Sequence, residues 1–293
     1  MANAPKPTTV KKESSTASNL FATLVIPICI LIGITLFIFV LGRPGNFSIP
    51  EDVVKNNSSV SLAFYNDDTH SFLPHPGNYG GMAYKGGFIV PILMGMLLMV
   101  FVFSIERLIV IGKATGKGSL DAFVKKIQSL LASGNISAAA AECDKQEGSV
   151  ANVIKSGLKK YSEMEVEANM DTDQKCLAIQ KDIEEATSLE MPMLEQNLTI
   201  IATLVSVGTL MGLLGTVTGM IKAFGGLANS GAPDQAALAT GISEALINTA
   251  TGIGTSTVAI IMYNILTSKI DKLTYAIDEA GFSIIQTYAS THK

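Results

Sequence analysis

The sequence predicts an all-α membrane protein: four transmembrane helices, with a cytoplasmic helical domain between the second and third spans. Three observations predict this. Four long apolar runs punctuate the chain, at 20–41, 87–111, 198–221 and 236–266. Charge is scarce: of 293 residues 48% are hydrophobic and only 16% charged, with mean hydropathy +0.38, where soluble domains carry about 25% charged residues. The block at 112–197 repeats its apolar residues at helical spacing.

Residues 1–19 are rich in Lys, Ser, Thr and Pro and read as a disordered cytoplasmic tail. The run Leu20 to Leu41 has no charge and is long enough to cross the ~30 Å hydrocarbon core as a helix. It ends in Phe-Val-Leu-Gly-Arg-Pro rather than in a small-residue cleavage site, so a retained anchor is expected and not a signal peptide. The loop 42–86 is rich in Gly, Pro and Asn, with room for one short element at Val53 to Tyr65. His70 and His75, near Asp67 and Asp68, read as solvated loop residues more readily than as a metal site. The glycosylation patterns at Asn46 and Asn57 are chance matches in a polar loop.

The second run closes on Glu106 and Arg107. Beyond it, Phe123, Val124, Ile127, Leu130 and Leu131 define one helix, and Ser133-Gly134-Asn135 stops it. An Ala-rich helix follows from Ile136 to Cys143, then another carrying Val153, Ile154 and Leu158. Leu177, Ile179, Ile183 and Leu189 continue towards the third run, predicting one long helix from the cytoplasm into the membrane with Pro192 as a kink point. The acidic run Glu163, Glu165, Glu167 is a solvated face. A short loop at 222–235 and a tail at 267–293 complete the chain.

Orientation follows from basic residues beside the runs. Lys6, Lys11, Lys12, Arg107, Lys113, Lys117, Lys125, Lys126, Lys269 and Lys272 fall on one side, against Arg43, Lys55, Lys85 and Lys222 on the other. Both termini and 112–197 are therefore expected in the cytoplasm, and 42–86 and 222–235 on the outer side. The charge balance of 21 basic to 25 acidic residues, with Arg43 and Arg107 the only arginines, excludes a nucleic-acid partner. The partner implied by composition is membrane lipid. Cys29, Cys143 and Cys176 suit reduced thiols, not a disulfide framework or a metal site. No phosphate loop, nucleophile elbow or metalloprotease motif is present, and the histidines lie outside the runs, so neither an enzyme nor a cofactor is expected.

The third and fourth runs carry the functional signal. Gly208, Gly212, Gly215 and Gly219 strip one helix face of side chains, which in lipid means close helix packing. With Ala237, Gly241 and Ala245 on the fourth run, this face is expected to pack tightly between copies of the chain; Gly252 is a further helix-packing position. A polar stripe accompanies it: Thr199, Thr203, Ser206, Thr209 and Thr216 on the third run, and Glu244, Asn248, Thr251 and Thr255 on the fourth. Two such stripes suggest a shared wet surface. Glu244 is the only carboxylate within the four runs. At mid-membrane it would cost about 2.5–3.5 kcal/mol and mark an ion path, where it holds a proton or pairs with a cation. It also lies only eight residues past Ala236, so a surface carboxylate at the outer interface is the competing reading.

Several motifs together resemble the MotA/TolQ/ExbB proton-channel family, ExbB- and TolQ-type members most. They are Gly212-Leu-Leu-Gly-Thr-Val-Thr-Gly-Met220, Ala223-Phe224, Ile242-Ser-Glu-Ala-Leu-Ile-Asn-Thr249, Gly252 and Tyr263-Asn264. Glu106-Arg107, Leu131 to Asn135, Ala140 to Cys143 and Val153 to Leu158 agree with it, so the resemblance covers roughly 88–275. It implies a stator subunit of the bacterial inner membrane, which makes the outer side the periplasm, and a homopentamer around the single transmembrane helices of two ExbD/TolR-type partners. Proton flow would turn that pair and drive a TonB-like protein, energising outer-membrane transport; a TolQ-like or gliding-motor role, or a non-conducting scaffold, are the alternatives. The resemblance puts the family's membrane glutamate at Glu244 and its channel threonines at Thr216 and Thr249, with Asn248 and Thr251 beside them, and the titrating aspartate on the partner. Two prolines usual in the family are replaced here by Thr209 and Thr257, which removes expected kinks and adds hydroxyls. The first run is extra to the usual three-helix plan.

Overall fold

A computed structural model describes residues 13–48, 77–229 and 235–292. Every regular element among them is helical, and four helices are long and apolar enough to cross a membrane. In chain order they are α1 (Glu13–Leu36), α2 (Tyr79–Tyr84), α3 (Ile89–Thr115), α4 (Leu120–Ala132), α5 (Ile136–Gln146), α6 (Gly148–Val166), α7 (Thr172–Glu195), α8 (Leu198–Asn229) and α9 (Gln235–Thr291). The spanning candidates are α1, α3, α8 and α9. The segment Val53 to Tyr65, the His70/His75 group and the Asn57 motif lie outside the described residues.

The chain divides into two compact units. The first runs to Val102 and takes in Ile200–Ile261. In it α1 lies against α3 at a side-chain-free crossing. A Cβ on Gly33 would sit 2.6 Å from the Pro91 carbonyl oxygen and 2.7 Å from the Gly95 nitrogen, and one on Gly95 would sit 2.9 Å from Ile30 Cα. Backbones approach this closely only through small residues. A π-turn (Phe37–Leu41) ends α1, its Gly42 N–H donating to the Phe37 carbonyl at 3.0 Å. A 3-10 turn (Pro44–Asn46) follows it.

The second unit comprises Phe103–Thr199 and Met262 onward. Its core joins Phe123, Val124, Ile127 and Leu131 of α4, Val150, Val153, Ile154 and Leu158 of α6, and Ile179 and Ile183 of α7 to the last turns of α9. Local sequence sets each start: Asn135 Oδ1 accepts from the Ala138 N–H at the head of α5, and Asp171 and Gln174 form a capping box on α7.

Two expectations are corrected here. The stretch from Asp173 into the third run is not one helix, since α7 stops at Glu195 and α8 begins at Leu198. Asn197 adopts φ 64°, a left-handed conformation that asparagine tolerates and a continuing helix does not. And 267–293 is no separate tail. It prolongs α9 to 57 residues, with Ile270, Leu273, Ile277, Ala280, Ile284 and Tyr288 buried at three- and four-residue steps. Tyr288 donates to the Met164 carbonyl at 2.9 Å and meets Tyr161 edge-on, ring centres 4.8 Å apart.

Candidate ion pathway

The site grows out of the α8–α9 crossing. A Cβ on Gly252 would lie 2.7 Å from the Gly208 carbonyl and from Gly212 Cα; one on Gly241 would lie 2.7 Å from the Gly219 carbonyl and Ala223 Cβ. Gly208 faces Ser256, Gly215 faces Asn248, and Gly219 faces Gly241 and Ala245. The small-residue face is thus used inside one chain, which corrects its assignment to contacts between copies: helices joined by a few residues are antiparallel neighbours, and their smallest faces meet first. The side chain of Ala237 lies outside the described part.

The polar residues follow from this crossing. Gly215 has no side chain, so Asn248 fits over it and is completely buried, yet neither its amide nitrogen nor its oxygen has a hydrogen-bond partner among the described residues. Thr216 and Thr249 are hydrogen-bonded hydroxyl to hydroxyl across the pair. Thr251 returns its hydroxyl to the Ile247 carbonyl at 2.8 Å, and Thr255 to that of Thr251 at 2.9 Å, the usual way a helix hides a threonine in an apolar setting. Thr209 bonds Ser256 at 2.9 Å, and Thr257 bonds the Ile253 carbonyl at 2.8 Å, so both proline replacements spend their hydroxyls on helix contacts. The stripe of α9 is therefore not an open wet surface within one chain; its Asn248 and Thr255 are packed away, while Thr203 and Ser206 of α8 remain exposed.

Glu244 heads the column and is 8% exposed. Its Oε1 accepts from Lys222 Nζ at 2.6 Å. The cation beside this carboxylate comes from the chain itself. Lys222, read in sequence only as a loop charge, is the last residue but seven of α8; its side chain is 60% exposed, so the pair is buried at one end and wet at the other. The turn before α3, Lys85-Gly86-Gly87, also meets this carboxylate, where a Cβ on Gly87 would be 2.4 Å from Oε1. Burial pushes the Lys85 ammonium below the usual lysine range.

A second polar group lies in the other unit. Arg107, 2% exposed, pairs with its neighbour Glu106 and donates through Nη1 to the Met193 carbonyl at 2.9 Å and the Leu194 carbonyl at 3.4 Å. Asn197 donates to Glu106 at 3.4 Å. A guanidinium on the last carbonyls of α7 satisfies acceptors left open at a helix end and opposes the negative end of its dipole. Sequence showed this dyad only as a motif; the break it secures was not visible.

Comparison with known proteins gives the family. The family model of the MotA/TolQ/ExbB proton channel family matches residues 145–279, which include α8, most of α9 and every residue of the column. The Tol-Pal system protein TolQ of Pseudomonas aeruginosa is 31% identical over 157 residues, 54% of this chain and 68% of TolQ. The chain belongs to the MotA/TolQ/ExbB proton channel family. Other members match over shorter stretches: TolQ of Haemophilus influenzae is 30% identical over 118 residues, 51% of its own length, and the biopolymer transport protein ExbB of Salmonella typhimurium is 37% identical over 70 residues, 29% of its own length. Within the MotA/TolQ/ExbB family, both TolQ- and ExbB-named proteins are thus relatives of this chain.

Proposed function

We propose that this chain is the channel-forming stator subunit of a proton-driven motor in the bacterial inner membrane. It assembles as a homopentamer around an ExbD/TolR-type single-span partner pair, both termini in the cytoplasm, and energises a TonB-like protein and so outer-membrane transport. The single observation that carries this reading is the column Glu244, Asn248, Thr251 on α9, with Thr216 and Thr249 beside it, set into two of the helices that are long and apolar enough to cross a membrane. An ionisable group and an unpartnered amide so placed cost stability, and membrane proteins keep such groups where ions pass. Lys222 holds Glu244 when it is ionised. When Glu244 takes a proton, Lys222 can swing to solvent, so the pair can trade one positive charge for another without a bare carboxylate. Asn248 offers a donor and an acceptor one turn further in. The membrane potential supplies about 2.3 kcal/mol per charge per 100 mV to such a step.

A second reading has its own support: the TolQ match covers more of both chains than the ExbB match, so the Tol system is the alternative process energised. The test is proton flux in proteoliposomes holding the full chain with its partner. Flux under an imposed potential is expected, lost in Glu244→Ala and reduced in Thr216→Val. Flux unchanged in Glu244→Ala would remove the role of this residue, and flux that follows a sodium gradient alone would change the ion.

A further inference from the structure

Glu244 has two close neighbours at its carboxylate, and only one of them is an ion pair. Besides Lys222, the backbone of Gly87 lies so close that a Cβ would sit 2.4 Å from Oε1 and 3.0 Å from the carboxyl carbon. Gly86 presses on the next turn of α9, its missing Cβ 2.9 Å from Ile247 Cγ2. Gly87 has φ 72°, and its N–H donates to the Tyr84 carbonyl at 3.2 Å while its carbonyl accepts from Val90 at 3.3 Å. Gly86 and Gly87 make a plate without side chains, and at Gly87 glycine alone meets both the φ and the clearance.

That plate hangs from α1. Tyr84, 4% exposed, stacks on Phe37 with ring centres 4.7 Å apart and meets Phe47 edge-on at 5.6 Å. Gly42 lies against the same ring, where a Cβ would be 2.7 Å from Tyr84 Cε2. Asn46 donates to the carbonyls of Val40 and Leu41 at 3.0 and 2.8 Å, and Asn78 donates to Asn46 at 3.1 Å while capping α2. With the Gly33–Gly95 crossing in the last turn of α1, an unbroken series of contacts runs from the extra helix through Tyr84 and Gly87 to Glu244.

We propose that α1 and the cap at 37–48 and 78–87 are the positioning element of Glu244, with Tyr84 and Gly87 as the residues that keep its carboxylate buried against Lys222. The proposal rests on Glu244 being an ion-path group and names what holds it there. A glutamate side chain turns about three torsions and stays out of water only where its surroundings leave it one place. Without the plate, the carboxylate and the exposed ammonium separate into solvent. The extra helix then acts on conduction without touching the ion.

The test is a zero-length cross-link on the purified full chain. A water-soluble carbodiimide joins a carboxylate to an amine only when the two are in contact, and peptide mass spectrometry reads the Lys222–Glu244 amide. The parent chain is expected to form it. In Gly87→Ala and Tyr84→Ala its yield falls roughly tenfold, since a non-glycine residue at positive φ and a lost aromatic stack each disfavour the closed cap by a comparable factor. Tyr84→Phe, which keeps the ring, restores it, and Gly45→Ala, with nothing within 4 Å of its new methyl, matches the parent. Phe37→Leu, which removes the stack but keeps an apolar side chain, provides the same decrease should Tyr84→Ala fail to elute as a folded oligomer. Undiminished cross-linking in Gly87→Ala and Phe37→Leu overturns the proposal, as does its absence in the parent. Proton flux measured on the same variants separates the two readings: a lost cross-link with flux intact leaves the positioning and removes the ion-path role, and a retained cross-link with flux lost does the reverse.

Discussion

At the scale of single residues, three side chains separate structure from conduction. Glu244→Ala leaves Lys222 exposed and content in water, so the folded oligomer is expected to assemble as before while flux disappears. Glu244→Gln keeps size and hydrogen bonding, and partial flux there would assign a polar role in place of charge. Asn248 gives a sharper contrast. Its amide is buried without a partner, so the near-isosteric Asn248→Leu is expected to leave thermal stability unchanged or raise it by about 1 kcal/mol. Flux should nonetheless fall, because the hydrogen-bonding atoms are gone; a Leu variant with normal flux would reduce Asn248 to packing. Arg107 behaves in the opposite way. Its removal strands Glu106 and the Met193 and Leu194 carbonyls, and Arg107→Ala is expected to cost about 3 kcal/mol in detergent thermal unfolding. Arg107→Lys should recover little, since one ammonium cannot serve two carbonyls and a carboxylate in the geometry of the fork.

At the scale of elements, the glycines of α9 sort by what their missing Cβ would meet. Gly252→Ala drives a methyl into the backbone of α8 and is expected to destabilise the α8–α9 pair by about 1–3 kcal/mol; Gly254→Ala, with open space around it, should change nothing. Unfolding of the two variants in mild detergent gives the comparison, and equal stabilities would mean that α8 and α9 do not cross where described. The glycine spacing on the third run was legible as a packing face because four-three-four spacing strips one side of a helix. Its partner was not, because spacing identifies a face and not what covers it. The same limit hid the end of α7. Pro192 marked a weak point, but the break falls at Asn197, where a left-handed residue is stabilised by Glu106 and Arg107 from a distant part of the sequence.

At the scale of the whole molecule, native mass spectrometry in mild detergent is expected to show a pentamer, alone or with two partner chains; a stable monomer or dimer would remove the stator reading. The thiols give an independent check on the second unit. Burial, and then the Asp144 carboxylate, pushes Cys143 up to about 12. Only a thiolate fraction on the order of 10⁻⁴ then exists at about pH 8. Alkylation of the folded chain should be slower at Cys143 than at half-buried Cys176, speed up as the pH rises, and even out in denaturant. Similar rates in the folded state would show that α5 does not bury its cysteine.

The sequence by itself determined the fold class, the four apolar helices and the family, because each rests on local pattern: run length against bilayer thickness, apolar spacing against the helical period, and glycines, threonines and one glutamate at fixed separations. It also marked Glu244, Asn248, Thr251 and Thr216 among the polar residues of an apolar setting, and the family resemblance added Thr249. Which groups meet was decided only by the tertiary structure. Lys222 comes from another helix, Gly87 from the turn before α3 and Tyr84 from a short helix that no periodicity announces. Their contacts with Glu244, or with what holds it, join positions far apart in the chain, and such contacts depend on how helices cross, a property of shape that one-dimensional spacing does not carry.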